Sequence, residues 1–438
     1  MKEIFKELIA SFHATGVPIP SKRDLSLLEV PEGIRKVLVL IGMRRSGKTW
    51  SFFQIMHDLM ASGIDISKIV YINFEDDRLL DMQVKNFQDI LEAYFELYPE
   101  YLHRNDIHFF FDEIQEVKGW EKFIRRLLDQ EKMELYVSGS SAKMLSKEIA
   151  SSLRGRTMVY EIFPFGFSEY LNKRNIQASL VQSTKQKIAV LSAFGYFLKF
   201  GGFPEVIDAS PDVHRAILQG YGESVIYRDI IDRYGVSNTS VLKQLLFHCV
   251  RNSATAFSIS KMYQTLKSTG YEISRNTLYE YMTYFEDAYC IFSLHKFDLS
   301  QRKSSTAMKK VYAVDQGLIT AFSLASQFDV AAQLETAVFS YLRRMSSSLF
   351  YYRTAEGKEV DFVVLLADFS VKLFQVCVSL KDEHTRRREV SALEKTMNEL
   401  KLTVGYIITL EEEESVVIDG GMILVVPAWK LFLSSKLP

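Results

Sequence analysis

The feature that most constrains the fold is the stretch from Val37 to Trp50, VLVLIGMRRSGKTW. Its first five residues are all β-branched or aliphatic, which is typical of a strand buried on both faces of a parallel sheet. Gly42 ends this run and begins GMRRSGKT, a full match to the phosphate-loop (Walker A) pattern GxxxxGK[ST]. The residues from Trp50 to Met60 then follow with helical spacing of apolar side chains. A strand, a glycine loop and a helix in this order predict a triphosphate site.

Each part of the loop has a predicted role. Its two glycines leave room for backbone N–H groups to converge on phosphate, and the helix beginning at Lys48 adds the positive end of its dipole. Lys48 is predicted to reach the β- and γ-phosphates, and the Thr49 hydroxyl to ligate Mg²⁺. The two arginines inside the loop point either to phosphate or to solvent. The predicted nucleotide-binding residues are Gly42, Met43, Arg44, Arg45, Ser46, Gly47, Lys48, Thr49 and Trp50.

Two later strands are expected to bring acidic side chains to the same edge of the sheet. Lys68–Phe74 is rich in β-branched and aromatic residues, and the acids that follow at 75–77 lie either near a metal ion or in a solvated turn. Ile107–Phe111 precedes Asp112 and Glu113, which is close to the Walker B pattern. Asp112 is predicted to hold Mg²⁺, and Glu113 to polarise the attacking water as general base.

A fourth strand is expected at Glu134–Val137, followed by Ser-Gly-Ser-Ser. A polar side chain at this strand end would lie beside Asp112. Ser138 and Ser140 are therefore candidates for sensing the γ-phosphate, although N-capping of the next segment explains them equally well.

Arginines precede the expected fifth strand, Thr157–Ile162. An arginine can neutralise charge on a transferring phosphoryl group, either in cis or from a neighbouring subunit. Arg154 and Arg156 are therefore candidate arginine fingers, and an ordinary surface pair is the alternative.

The composition excludes several classes of protein. The chain has 438 residues, of which 47% are hydrophobic and 24% charged, enough for two to four globular domains. No apolar run approaches the roughly 20 residues of a membrane span, and the N-terminus is unlike a signal peptide, so we expect a cytoplasmic protein with no membrane partner. Its three cysteines lie far apart and suggest neither a disulfide nor a zinc site. A net charge of −1 gives no overall attraction to nucleic acid.

Four segments together resemble one family. They are GMRRSGKT, FFFDEIQEVKGW, SGSSAKMLSKEIASSLRGR and GGFPEV. In these segments the chain resembles the AAA-type P-loop ATPases of bacteria and archaea that carry a C-terminal domain of unknown function. The resemblance covers essentially the whole chain. It implies an additional-strand P-loop core with Walker B beside the phosphate-binding strand, a helical and winged-helix region, and a nuclease-like C-terminal fold.

The predicted fold class is therefore α/β, with a parallel-sheet P-loop NTPase core followed by further modules. We expect the core at 1–165, a helical lid-like region at 166–239, a winged helix at 240–320 and a C-terminal α/β nuclease-like domain at 321–438. Within these modules, the glycine-rich segment 201–205 is expected to form a rigid turn. The segment 311–318, VYAVDQGL, is expected to have a packing role.

The predicted winged helix leaves its partner open. Ser258 and Ser274 are expected to cap two helices, the second of which would be the recognition helix, with Arg275 exposed at its start. Acids on the same helix would repel phosphate, so contact with a DNA backbone and packing against protein are both open. The wing is expected to carry Arg302, Lys303, Lys309 and Lys310.

The C-terminal region resembles a nuclease core that lacks part of its motif. Glu335 lies on a predicted helix and Asp361 on a predicted strand, in the order of the PD-(D/E)XK nucleases. The Glu-x-Lys positions of that motif are here Gln375 and Cys377, which replace a metal carboxylate and a lysine cation. We expect the fold without DNA cleavage.

Two functional hypotheses follow. The first is a Mg²⁺-dependent ATPase whose hydrolysis moves a winged-helix and C-terminal effector module. The second is a nucleotide-switched module that binds DNA or an unknown protein partner and turns over slowly. No Asn/Thr-Lys-x-Asp guanine-reading signature stands out, which favours ATP and ADP as ligands. The sequence leaves open an oligomer in which an arginine acts in trans.

Overall fold

The structure is a computed structural model. It describes residues 1–25, 27–28, 31, 34–102, 104–131, 133–140, 153, 155–178, 183–298, 308–323 and 329–438. The chain divides into two compact units, Met1–Ile162 and Phe163–Pro438.

The first unit is built around a parallel sheet. Its strands are β1 (Val37–Ile41), β2 (Ile69–Asn73), β3 (His108–Asp112), β4 (Glu134–Gly139) and β5 (Thr157–Glu161). Its helices are α1 (Lys2–Thr15), α2 (Lys48–Ala61), α3 (Phe87–Leu97) and α4 (Trp120–Arg126). Each of the five strands lies within about two residues of its predicted bounds, because buried strands of a parallel sheet carry the apolar runs that mark them in the sequence.

Helices cover both faces of this sheet. Successive side chains of a strand point to opposite faces, so the phenylalanines of β3 separate. Phe110 packs against Phe52 of α2, with ring centroids 5.3 Å apart. Phe111 faces the other way and packs near Phe123 of α4, at 6.1 Å. All five residues of β3 are buried, which places the end of this strand in a dry environment.

The strand order corrects one expectation. The order is β2-β3-β4-β1-β5, so β4 lies between β3, the predicted Walker B strand, and β1, the predicted phosphate-binding strand. The expectation that those two strands are neighbours is wrong. β4 pairs in parallel with both of them, from Leu38 opposite Tyr136 on one side and from His108 opposite Glu134 on the other. As a result, the end of β4 lies between the ends of β1 and β3.

The second unit joins helices to a mixed sheet. Its helices are α5 (Phe167–Lys173), α6 (Thr184–Phe200), α7 (Pro211–Ser224), α8 (Thr239–Arg251), α9 (Ile259–Ser268), α10 (Arg275–Asp287), α11 (Gln316–Phe322), α12 (Val330–Met345), α13 (Glu383–Leu400) and α14 (Ala428–Leu431). After α7 the chain continues as a π-helix at Val225–Ile231 and a short α-helical turn at Asp232–Tyr234. Its strands are β6 (Thr255–Phe257), β7 (Ile291–Lys296), β8 (Lys309–Ala313), β9 (Leu349–Arg353), β10 (Glu359–Leu365), β11 (Val371–Val376), β12 (Val404–Thr409), β13 (Glu414–Ile418) and β14 (Gly421–Pro427).

One sheet of nine strands runs through this unit, in the order β13-β14-β12-β11-β10-β9-β7-β8-β6. Strands β6 to β8 come from the predicted winged helix, and β9 to β14 from the predicted C-terminal domain. The two sets meet where β7 pairs in parallel with β9, through His295 opposite Phe350. The chain is thus an α/β protein with a parallel five-stranded sheet in one unit and a mixed sheet in the other.

Two glycine-containing segments of the second unit meet at a buried aspartate. Asp315 accepts hydrogen bonds from the backbone N–H groups of Gly202, at 2.9 Å, and Gly317, at 2.8 Å. A Cβ atom at Gly202 would lie 2.0 Å from the carbonyl oxygen of Phe165, so a larger residue does not fit there. Gly201 has a φ of 77°, and the chain turns at this point.

The predicted basic wing is only partly as expected. Lys310 is not on a surface wing, because its side chain is buried within the second unit. Arg302 and Lys303 lie outside the described residues.

Among the helices that the structure describes, none is both long enough and apolar enough to cross a bilayer.

Candidate functional site

The phosphate loop follows β1 at the carboxyl edge of the first sheet, and α2 begins at Lys48 as the sequence predicts. Both loop glycines have positive φ, 153° at Gly42 and 99° at Gly47. A Cβ atom at Gly42 would lie 2.2 Å from the carbonyl oxygen of Ile162, so only glycine fits this turn. The Ser46 hydroxyl is buried in the loop and has no hydrogen-bond partner within the described part of the chain. The loop therefore offers an unsatisfied polar group as well as backbone N–H groups.

Lys48 lies inside the loop and is only 4% exposed. Its Nζ donates to the carbonyl oxygen of Gly42 at 3.2 Å and forms an ion pair with Glu113 Oε1 at 3.3 Å. The predicted phosphate-binding lysine and the predicted general base therefore form an ion pair with each other.

Asp112 is fully buried and accepts hydrogen bonds from three side chains. Thr49 Oγ1 and the Tyr71 hydroxyl donate to Oδ2, at 2.6 and 3.0 Å, and Ser138 Oγ donates to Oδ1. Burial and the neighbouring charge of Glu113 raise the pKa of Asp112, and the three donors oppose that shift. Ser138 thus lies beside Asp112, where the sequence places it.

This pair of oxygen ligands suits a magnesium ion. A hydroxyl and a carboxylate are hard donors, which Mg²⁺ prefers, and Thr49 Oγ1 and Asp112 Oδ2 already lie 2.6 Å apart. Thr49 and Asp112 are therefore the residues that would hold the ion.

Glu113 lies at the end of β3 with a φ of 49°, in the left-handed region. Its backbone N–H donates to Ser138 Oγ at 3.0 Å, and its Oε2 accepts from Gln115 Nε2 at 2.5 Å. Burial acts to raise the pKa of Glu113, but Lys48, Gln115 and Arg44 outweigh it and hold the pKa below its usual value. Glu113 is thus a carboxylate at neutral pH, which a general base requires.

The remaining loop residues have different environments. Arg44 forms an ion pair with Glu75 at 2.7 Å, so the acid after β2 contacts the loop. Met43 is buried, and Arg45 has a φ of 67°. Trp50 is half exposed and packs edge-on against Phe53.

The candidate arginine fingers are not part of this cluster. Arg154 lies outside the described residues. Arg156 precedes β5, at the amino edge of the sheet, where its carbonyl oxygen accepts from Val37 N and its guanidinium pairs with Asp129. The phosphate loop is at the opposite, carboxyl edge. Arg156 therefore stays a candidate only toward another copy of the chain.

Sequence reasoning missed three residues that contact the site. Tyr71 and Gln115 hydrogen-bond to Asp112 and Glu113. Arg23 is buried under the loop, where its Nη1 donates to the carbonyl oxygen of Ser46 at 2.8 Å. Tyr71 interrupts an aliphatic run in β2 and Gln115 follows Walker B closely, so both had a weak signal; Arg23 had none.

Comparison with known proteins gives the family. Residues 34–171 match an AAA domain, residues 192–329 match a domain of unknown function, DUF8612, and residues 331–431 match another, DUF4143. An uncharacterized protein of Methanocaldococcus jannaschii, MJ1544, is 36% identical over 424 residues, which cover 94% of this chain and 91% of the relative. The chain belongs to the family of this archaeal protein.

More distantly related proteins also match the present chain. An uncharacterized protein of Haemophilus influenzae is 28% identical and covers 90% of this chain and 94% of the relative. Among solved structures, the Walker-type ATPase PABY2304 of Pyrococcus abyssi aligns with a TM-score of 0.40 and 12% identity, over 70% of this chain and 98% of that chain. The predicted AAA domain and C-terminal domain of unknown function are confirmed. None of these matches describes a nuclease.

Proposed function

We propose that the protein binds ATP with Mg²⁺ and hydrolyses it to ADP and phosphate. The observation that carries this proposal is the convergence of Lys48, Thr49, Asp112 and Glu113 at one edge of the sheet, where Lys48 and Glu113 pair at 3.3 Å and Thr49 and Asp112 at 2.6 Å. The match to an AAA domain supports nucleotide binding in general. The absence of a guanine-reading signature in the sequence favours ATP.

The four residues have separate roles in this proposal. An arriving phosphate takes the place of Glu113 as the partner of Lys48, which releases the Glu113 carboxylate to accept a proton from the attacking water. Thr49 and Asp112 hold Mg²⁺, which neutralises charge on the phosphates when bound. Ser138, which hydrogen-bonds to Asp112 and to the backbone of Glu113, keeps the two acids in register and is the candidate sensor of the γ-phosphate.

We further propose that hydrolysis changes the state of the second unit, which acts as the effector module. The element order from α8 to β8 is helix, strand, helix, helix, strand, strand, which is compatible with a winged helix. The exposed face of α10 carries Arg275, Tyr279 and Glu280, a mixed set that fits protein and DNA partners alike.

A second candidate function is a nucleotide switch with little turnover. The buried ion pair of Lys48 and Glu113 favours it. A general base that is paired with the phosphate-binding lysine works slowly until the ion pair breaks. In this case the bound nucleotide would control binding of DNA or of a protein partner.

The deciding experiment is phosphate release from ATP by the wild type and by Glu113→Gln, with ATP affinity measured for both. Because glutamine cannot accept the proton, we expect turnover to fall by at least about 10²-fold. ATP affinity should be kept or increased, since Lys48 is no longer paired with a carboxylate. Glu100→Gln, on an exposed turn of the same unit, is the matched control.

Turnover that survives in Glu113→Gln would contradict the proposed role of Glu113 as general base. Tight ATP binding with negligible turnover in the wild type would contradict the ATPase proposal and favour the switch. DNA affinity that falls with salt and differs between ADP and a non-hydrolysable ATP analogue would then identify DNA as the switched partner.

A further inference from the structure

The second unit contains a buried lysine that is surrounded by carboxylates. Lys310 Nζ lies 2.8 Å from Glu335 Oε1, 3.0 Å from Asp361 Oδ1 and 3.1 Å from Glu359 Oε1. We call these four residues the Lys310 cluster. Lys310 is 5% exposed, so its ammonium has exchanged water for carboxylate oxygens.

The cluster joins elements that are distant in the sequence. Lys310 comes from β8, Glu335 from α12, and the other two acids from β10. Further donors fix the carboxylates: the Tyr312 hydroxyl donates to Glu335 Oε1 at 2.8 Å, and Val376 N donates to Asp361 Oδ2 at 2.9 Å. Glu335 and Asp361 are therefore each held by a further hydrogen bond. Among the described contacts, the ion pairs with Lys310 are the only ones that all three acids share.

The cluster has fewer positive than negative charges. Burial alone would lower the pKa of Lys310, but the facing groups raise it well above its ordinary value, so the ammonium stays charged. Burial and the charge of Asp361 raise the pKa of Glu335 to about 7. One cation thus offsets up to three anions, and its removal would leave neighbouring carboxylates that repel one another.

Lys310 Nζ has one carboxylate oxygen from each of three side chains at 2.8–3.1 Å. Among the described residues, no group of three or more histidine, cysteine or acidic side chains is arranged to hold a metal ion. Calcium takes such oxygens at about 2.3–2.6 Å and tolerates irregular geometry, so each oxygen would have to move by only about half an ångström to bind it. Magnesium demands shorter distances of about 2.0–2.1 Å and a stricter arrangement.

We propose that Glu335, Glu359 and Asp361 form a cation site whose resident cation is the Lys310 ammonium, so that the second unit holds these carboxylates together without a metal ion. The sequence assigned Glu335 and Asp361 to a degenerate nuclease-like site on the grounds of Gln375 and Cys377. Lys310 is a separate obstacle to a metal ion, and it comes from a segment outside that motif.

The test exchanges the internal cation for an added one. Lys310→Met removes the ammonium and keeps an apolar side chain of similar length. We expect its melting temperature to fall by about 6–10 °C, because buried Asp361 and the partly buried Glu335 and Glu359 lose their shared counter-ion. Millimolar Ca²⁺ should restore the loss, and calorimetry should show one Ca²⁺ site. All proteins carry Asp112→Asn and contain no nucleotide, so that the proposed Mg²⁺ position in the first unit adds no signal.

Two controls make the result specific. Lys309→Met removes the neighbouring lysine of β8, whose side chain points to the other face of the sheet. Its melting temperature should fall less than that of Lys310→Met, and it should gain no Ca²⁺ site. Lys310→Met with Asp361→Asn leaves two carboxylates and should lose the Ca²⁺ effect.

The proposal is overturned if Ca²⁺ neither binds to Lys310→Met nor restores its fold or its melting temperature. It is also overturned if the protein with Lys310 intact binds Ca²⁺ at a site that Asp361→Asn removes. Neither result depends on ATP hydrolysis, so the ATPase proposal stands or falls separately.

Discussion

Tyr71→Phe is expected to weaken the proposed binding of a magnesium ion while leaving the fold unchanged. The Tyr71 hydroxyl donates to Asp112 Oδ2 at 3.0 Å, on the same oxygen that accepts from Thr49. Burial and the charge of Asp112 raise the pKa of Tyr71, so the phenol stays protonated and remains a donor. Phenylalanine keeps the ring, which packs against Phe53 and Phe12, and removes only this hydrogen bond.

The magnitude follows from the environment of Asp112. A hydrogen bond to a charged group contributes about 1.5–3 kcal/mol. Asp112 is fully buried, so no water replaces the phenol. That range corresponds to a loss of about 10- to 100-fold in metal affinity, which is also the effect expected for a residue that orients a metal ligand. The rate at saturating Mg²⁺ should change little, because Glu113 and Lys48 are untouched.

The assay is the free Mg²⁺ concentration that gives half-maximal ATP hydrolysis, supported by Mn²⁺ affinity of the ADP complex. Tyr136→Phe is the matched control, since its hydroxyl contacts His108 and lies at the other end of the sheet. A Tyr71→Phe protein with wild-type metal dependence would refute the reasoning. So would an equal change in Tyr136→Phe.

Two further predictions concern buried charges. Burial raises the pKa of Asp315 to about 6, above its ordinary 3.8. The stability of the second unit should therefore fall as pH rises from about 4 through 6, by roughly 2–3 kcal/mol from this residue. Asp315→Asn should remove that component, measured as melting temperature against pH; an unchanged slope would contradict it. Arg23→Met should weaken ATP binding by about tenfold in calorimetry, because Arg23 holds the Ser46 carbonyl of the loop. Arg23→Lys should recover part of the loss, and the exposed Lys22→Met should have no effect.

Local pattern was enough to predict the secondary structure around the proposed nucleotide site. The apolar run before Gly42, the loop glycines and the helical spacing after Lys48 predict strand, loop and helix, and the structure has all three within a residue or two. Asp112 and Glu113 could likewise be found because they end an apolar run, and such ends meet at one edge of a parallel sheet.

Contacts between distant segments could not be found in this way. Tyr71 and Arg23 reach the site from a neighbouring strand and from the N-terminal segment. Lys310, which reads as part of a basic wing, is instead buried among carboxylates of the second unit.

By itself, the sequence determined the five strands of the first unit, the helix that begins at Lys48 and the residues of the phosphate loop, because periodicity and glycine placement act over a few neighbouring residues. The tertiary structure alone decided that β4 lies between β1 and β3. It also decided that Lys310 lies inside the second unit. Strand order and buried ion pairs depend on which distant segments pack together, and no local period records that choice.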